Sequence, residues 1–194
     1  MSQSGNKFRH YAVYIMTLFG KNADQKRFEK LFLPHLTAAY NLARWLLHDP
    51  SAAEDVVQES YLRAFNAQQH FKDGNEKAWL LTIVRNQSYS WLTANKTNIT
   101  IDIYDESLMS EEDLRSLSHS ASPEKLIITQ QSAALLLQEL ELLPMLLKEV
   151  IVLKELEGLS YKEIANIIGA PIGTVMSRLA RARETLKNKL LADK

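Results

Sequence analysis

The sequence predicts an all-α fold in which two small helical domains are joined by an acidic, flexible linker. Three observations carry this prediction. Apolar residues recur at helical spacing in two blocks, on either side of a turn-rich middle. Alternation of the β type is confined to Ile99–Ile103, too short to define a sheet. The middle itself carries Asp102, Asp105, Glu106, Glu111, Glu112, Asp113 and Glu124 against Arg115 alone, with little apolar periodicity. The expected divisions are an N-terminal extension over 1–23, a first domain over 24–96, the linker over 97–123 and a second domain over 124–194.

Taken in order, the extension is read first. Lys7 and Arg9 precede an apolar run from Tyr11 to Phe19, the order found in signal peptides. Two tyrosines interrupt that run and no small-residue cleavage site follows, so an added N-terminal helix or an early start codon is the expectation. Leu31, Phe32, Leu36, Tyr40, Ala43 and Leu47 then mark a helix ending near His48-Asp49-Pro50. A second helix restarts at Ser51 or a neighbour and runs through Phe65, followed by a polar loop over 66–75 and a third helix over about 76–92. After the linker, Glu124 to Leu143 forms another amphipathic helix, and Pro144 opens the rest of the C-terminal block.

Composition narrows the function. The 194 residues hold 23 basic and 23 acidic side chains, so there is no global basic field and any nucleic-acid contact must be local. Basic charge is concentrated at the C-terminal end, where Arg178, Arg181, Arg183, Lys187 and Lys189 face only Glu184 between 172 and 191. Cysteine is absent, which excludes disulfides, thiol catalysis and the usual structural zinc sites. No apolar run reaches the length of a membrane span, and the chain is expected to be cytoplasmic, without membrane insertion. No Walker loop, metal-ligand spacing or nucleophile–base pair is present, so neither catalysis, a metal nor a cofactor is expected.

The most informative stretch runs from Gly158 to Arg183. Ser160 is placed to cap a helix through Ile168, with Glu163 at the capping-box position. Gly169-Ala170-Pro171 breaks it, and a second helix starts near Ile172. On that helix Val175, Leu179, Ala182 and Leu186 share one stripe, while Thr174, Ser177, Arg178 and Arg181 share the adjoining arc. A DNA-reading helix needs such sorting, with donors and cations toward base edges and phosphates and apolar residues toward its partner helix. The bland alternative is a surface helix with scattered arginines.

Two further faces lie in the first block. On the second helix Ala53, Val57, Tyr61 and Ala64 form a core stripe, and Asp55, Gln58, Glu59 and Leu62 cluster opposite. That acidic patch with one leucine suits a basic, partly apolar protein partner, or is simply a solvated face. On the third helix Leu80, Ile83, Val84 and Trp91 make the core stripe. Thr82, Arg85 and Tyr89 lie on the far face, with Trp79 and Asn86 flanking. Aromatic rings, guanidinium and amides are the materials for holding unstacked bases, and the preceding loop could add Phe71 and Asn75 to a flipped-base pocket. Burial of Trp79 and Tyr89 against the first helix is the alternative.

These stretches resemble the extracytoplasmic-function (ECF) sigma factors of bacterial RNA polymerase. The matching segments are 53–65, Ala78-Trp-Leu-Leu-Thr-Ile-Val-Arg-Asn86, Leu143-Pro144, 149–165 and Gly173-Thr-Val-Met-Ser-Arg-Leu-Ala-Arg-Ala-Arg183, in the family's order. The resemblance implies a region 2 bundle of three or four helices and a region 4 helix-turn-helix. It implies docking on the β′ clamp helices through Asp55, Gln58, Glu59 and Leu62. Reading of the −10 element would fall to Arg63, Phe71, Asn75, Trp79, Arg85, Asn86 and Tyr89. Reading of the −35 element would fall to Thr174, Ser177, Arg178 and Arg181, with Lys162 near a phosphate.

The implied partners are the polymerase core, including its β-flap, promoter DNA and an anti-sigma factor; in holoenzyme the chain would sit on the nucleoid. The acidic linker resembles the segment that the family threads toward the RNA exit path. A sigma-like decoy that binds an anti-sigma factor without touching promoters is the rival reading. Two departures stand out. Ser90, Thr93, Ala94 and Asn95 replace the usual charged run, leaving Lys96 alone, and Met176 stands where lysine or arginine is frequent.

Overall fold

The computed structural model describes residues 23–72, 74–95 and 130–192. Every regular element among them is helical, and they fall into two compact units, the first made by 23–95 and the second chiefly by 130–192. The expectations for the N-terminal extension, the linker, the Ile99–Ile103 alternation, Lys96 and the helix start at Glu124 lie outside the described residues. Among the described residues no helix is long and apolar enough to cross a membrane.

The first unit holds α1 (Ala23–Phe32), a 3-10 turn (Leu33–His35), α2 (Leu36–Leu47), α3 (Pro50–Ala67), a second 3-10 turn (Gln68–His70) and α4 (Glu76–Ala94). The helix predicted to end near His48 is therefore interrupted at Pro34. Proline has no N–H to give to the carbonyl four residues back, so the ladder tightens there. The Leu36 N–H bonds Leu33 O, three residues away. The Tyr61 hydroxyl also donates to Phe32 O at the start of this turn, at 2.8 Å in the core. Burial pushes the Tyr61 phenol well above its usual pKa, so it stays a donor at all ordinary pH.

The α2–α3 junction is built from three adjacent residues. His48 takes the left-handed conformation with φ 59° and donates its N–H to Arg44 O. Asp49 then caps α3, accepting from Ser51 N at 2.7 Å and Ala52 N at 3.2 Å, and Pro50 fills the first helical position. The predicted stripe Ala53, Val57, Tyr61 and Ala64 is buried, joined by Ala52, Val56 and Ser60. Two of the α4 positions differ from expectation. Leu80 and Val84 are buried as predicted, but Leu81, Ser88 and Leu92 complete the stripe, while Ile83 and Trp91 are half-buried. The shift follows from packing, since α4 lies against both α2 and α3 and its covered arc is centred on the pair. Buried Ser60 and Ser88 permit this approach by returning their hydroxyls to Val56 O and Val84 O.

The second unit holds α5 (Gln130–Glu141), α6 (Met145–Ile151, continued by a π-helical turn Val152–Leu156), α7 (Tyr161–Ile168) and α8 (Ile172–Ala192). The α8 helix packs on α6 and α5. The α6 end unwinds through wide bonds, with Glu157 N–H to Val152 O and Leu159 N–H to Leu153 O, and closes on Gly158 at φ +69°. Lys148 is 2% exposed, and its ammonium donates to Glu141 O at 2.7 Å, closing the C-terminus of α5.

Two outcomes follow from these buried polar groups. Tyr61→Phe removes the buried hydroxyl's bond to Phe32 O and should cost about 0.5–1.5 kcal/mol in denaturant unfolding, with the slope of the transition unchanged. Burial brings Lys148 down to about 8, against the small opposing pull of Glu141. The unfolded chain therefore binds that proton more tightly than the folded one. The cost is fully present below about pH 8 and is relieved as pH rises toward 10.5. Between those limits the stability of the native protein relative to Lys148→Met should rise with pH; a flat difference would count against the burial effect.

Candidate nucleic-acid interface

The helix-turn-helix forms from the residues that its pattern predicts. Ser160 accepts from Glu163 N at 3.3 Å, and Glu163 returns a carboxylate to Ser160 N at 2.6 Å, completing the capping box of α7. Gly169 ends α7 at φ +68°, a conformation in which an L side chain is strained, and its N–H bonds Ala165 O. On α8, Val175, Leu179, Ala182 and Leu186 are buried.

The arc beside that stripe divides in a way the sequence did not show. Thr174, Ser177 and Arg181 are half-exposed, and the Ser177 hydroxyl donates to Thr174 O at 3.0 Å, leaving its lone pairs for an incoming donor. Arg178, by contrast, turns inward. Its side chain is 16% exposed and its guanidinium lies 3.7 Å from the Glu149 carboxylate of α6, which is completely buried. The contact gives Arg178, expected on the DNA-reading arc, a neighbour inside the unit. Arg183 pairs with Glu155 at the surface, at 2.5 Å, and exposed Lys189 reaches Glu139, at 3.3 Å. Lys162 is exposed on the first turn of α7, next to Tyr161, whose ring carries the Lys154 ammonium at 4.9 Å. Ile172 and Met176 are the large apolar side chains left exposed on α8 before its last turn, 46% and 41%.

In the first unit, the expected partner-binding face lies outside the core. Asp55 and Glu59 are exposed and Gln58 and Leu62 half-buried on α3. Glu59 is also held by Arg63, one turn on, at 2.8 Å. Gln87 of α4, with its amide oxygen turned to that guanidinium, accepts from Arg63 at 3.1 and 3.3 Å. Gln87 was not expected at this site; only the crossing of α3 and α4 brings it there.

The expected base-holding residues separate into a surface group and a support. Arg85 lies over the Tyr89 ring at 4.5 Å, one turn apart, beside exposed Asn86. Phe71 is 8% exposed, so its expected place in an open base pocket is corrected. Its ring packs edge-on to Phe32 at 5.5 Å and against Trp79 at 5.2 Å, and Trp79 also meets Phe32 at 5.1 Å. The reason is the aromatic cluster between α1 and α4, in which Phe32, Phe71 and Trp79 contact one another. Trp79 remains half-buried at the edge of this cluster. Asn75 caps α4, its side-chain oxygen accepting from Ala78 N at 2.8 Å.

The pairing of Arg178 makes a measurable distinction. Arg178→Ala should lower the thermal midpoint of the second unit more than Arg181→Ala does, because it removes a cation beside a buried carboxylate. Equal midpoints for the two variants would count against a structural role for Arg178.

Comparison with known proteins gives the same organisation. The family model for Sigma-70 region 2 matches residues 31–97, and that for Sigma-70, region 4 matches residues 133–186. The ECF RNA polymerase sigma-E factor of Salmonella typhimurium is 34% identical over 173 residues, 88% of this chain and 90% of that protein. The RNA polymerase sigma-H factor of Pseudomonas aeruginosa is 31% identical over 172 residues, covering 88% and 89%. Among solved structures, the sigma factor RpoE in complex with the anti-sigma factor NepR from Bartonella quintana aligns with a TM-score of 0.63 at 28% identity, over 87% of this chain and 99% of that one. CnrH in complex with the cytosolic domain of CnrY aligns at 0.59 and 26% identity, over 96% and 98%. With both regions matched and relatives aligned over most of their length, the chain belongs to the ECF family of RNA polymerase sigma factors.

Proposed function

We propose that this sigma factor joins core RNA polymerase and places its two helical units on two promoter elements. The observation that carries the reading is the sorting of α8. One stripe is locked in the core, while Thr174, Ser177 and Arg181 are presented beside an exposed N-terminal turn, the part of a recognition helix that meets base edges. Lys162 on α7 supports it with a phosphate contact that positions without specifying.

The first unit reads the −10 element as single strand. Arg85 and Tyr89 form a stacked pair that can accept a further base, Asn86 offers an amide to a base edge, and Trp79 supplies a ring at the margin of the core. Phe71 and Asn75 act behind that surface, the first bracing Trp79 and the second fixing the start of α4. Arg63 bridges the strand-holding face to the polymerase face formed by Asp55, Gln58, Glu59 and Leu62. Contact with the β′ clamp helices and the β-flap would supply the attachment that neither DNA site provides alone, since linkage raises the effective concentration of the second contact. Two structural relatives are bound to an anti-sigma factor or to a cytosolic domain of a partner, and we infer that this chain is held by an anti-sigma factor in the same manner. A decoy would have no use for the polar arc of α8.

Transcription reconstituted from this chain, core polymerase and genomic fragments should initiate at defined start sites. Absence of specific initiation would overturn the reading. Asp55→Arg reverses a charge on an exposed helix position, so it should weaken core binding about tenfold or more while helix content and thermal midpoint stay unchanged.

A further inference from the structure

We infer that α8 reads thymine methyl groups in the major groove through an apolar stripe centred on Met176. The inference rests on the proposed −35 reading and deepens it by naming what this helix selects. Ile172, Met176 and Ala180 stand at i, i+4 and i+8, so they fall in one line along the helix. Ile172 and Met176 are 46% and 41% exposed, and Ala180 is half-exposed. None of the three offers a hydrogen-bonding side chain. The line lies alongside Ser177 and Arg181, on the same open side of α8, whose core side is occupied by Val175, Leu179, Ala182 and Leu186. The stripe therefore enters the groove wherever the polar residues do.

Major-groove edges offer few apolar features. The 5-methyl group of thymine is the one that a side chain without donors or acceptors can prefer, and an unpaired donor or acceptor opposite Met176 would be desolvated without return. Methionine is suited to this contact, because its unbranched, polarizable side chain fills an irregular gap. Gly173 supports the placement. A Cβ built there would meet nothing within 4 Å, so packing inside the protein does not require a glycine in this turn. A glycine without such a packing need leaves room for the helix backbone to approach the groove floor closely.

The test uses the full chain with core polymerase on a promoter from which it initiates. Each thymine of the −35 region, on either strand, is replaced singly by uracil, which removes the methyl and preserves every hydrogen bond. The native protein should lose about fourfold in promoter binding at one or two positions, the value for one methyl group removed from water. Met176→Ala should bind thymine and uracil duplexes equally at those positions, with the native thermal midpoint. Met176→Arg should lose the same discrimination. Uniform tolerance of uracil by the native protein, discrimination that survives in Met176→Ala, or a −35 region without thymine would each overturn the inference while leaving the sigma reading intact. Loss of core binding in Met176→Ala, with uracil sensitivity unchanged, would assign the stripe to a protein partner and overturn it likewise. Failure to initiate at any promoter would remove the sigma reading itself.

Discussion

The buried Glu149 carboxylate decides how the recognition helix can be used. A carboxyl group removed from water needs polar partners, and the Arg178 guanidinium lies 3.7 Å from it. Because Arg178 belongs to α8 and Glu149 to α6, their pairing sets the rotation of α8 about its own axis. Once Arg178 points inward, Val175 and Leu179 are committed to the core. Gly173, Met176, Ser177 and Ala180 must then point away. The surface proposed to meet DNA is thus oriented in part by a contact between α8 and α6. A core of leucines alone would allow the helix to roll by a fraction of a turn at little cost, since apolar contacts are not directional.

The first unit solves the same problem of orientation with aromatic rings. Pro34 interrupts the helix at the end of α1, and the Tyr61 hydroxyl donates to Phe32 O, which ties α3 to that break. Phe32 and Phe71 then pack against Trp79 of α4, while Phe28 packs on Phe32 and on Tyr61 and Phe65 of α3, in tilted and edge-on contacts suited to ring quadrupoles. Trp79 is held at the rim of this cluster by two of them. Few rotatable bonds remain free in such an arrangement, so a ring at its edge is presented to a base with little entropy left to lose.

Much of this was legible in the sequence, and the limits have a common cause. Capping residues, the Gly169-Ala170-Pro171 turn and the Val175–Leu186 stripe identified the helix-turn-helix, because each depends on neighbours within a few residues. The stripe of α3 was legible for the same reason. What a single helix does not encode is the side on which a second neighbour lies. The helical wheel placed Arg178 with Thr174 and Arg181, and only the position of α6 separates them. It placed Ile83 and Trp91 in the α4 stripe, where packing against both α2 and α3 favours Leu81 and Ser88. Phe71 in a polar loop looked available, yet the gap it fills is formed by residues far away in sequence. The role of Gln87 beside Arg63 was likewise invisible until two helices crossed.

The basic character of α8 needs the same correction, and it bears on how DNA is bound. Five cations against one acid in that helix suggest a strong local field. In the folded unit Arg178, Arg183 and Lys189 each lie within 4 Å of a carboxylate contributed by α6, its π-helical turn or α5. The Arg183 and Lys189 pairs lie toward the surface, where water and salt screen them. In the proposed −35 reading those cations would remain open to competition from incoming phosphates, and base-edge contacts would supply the selectivity that phosphate contacts lack.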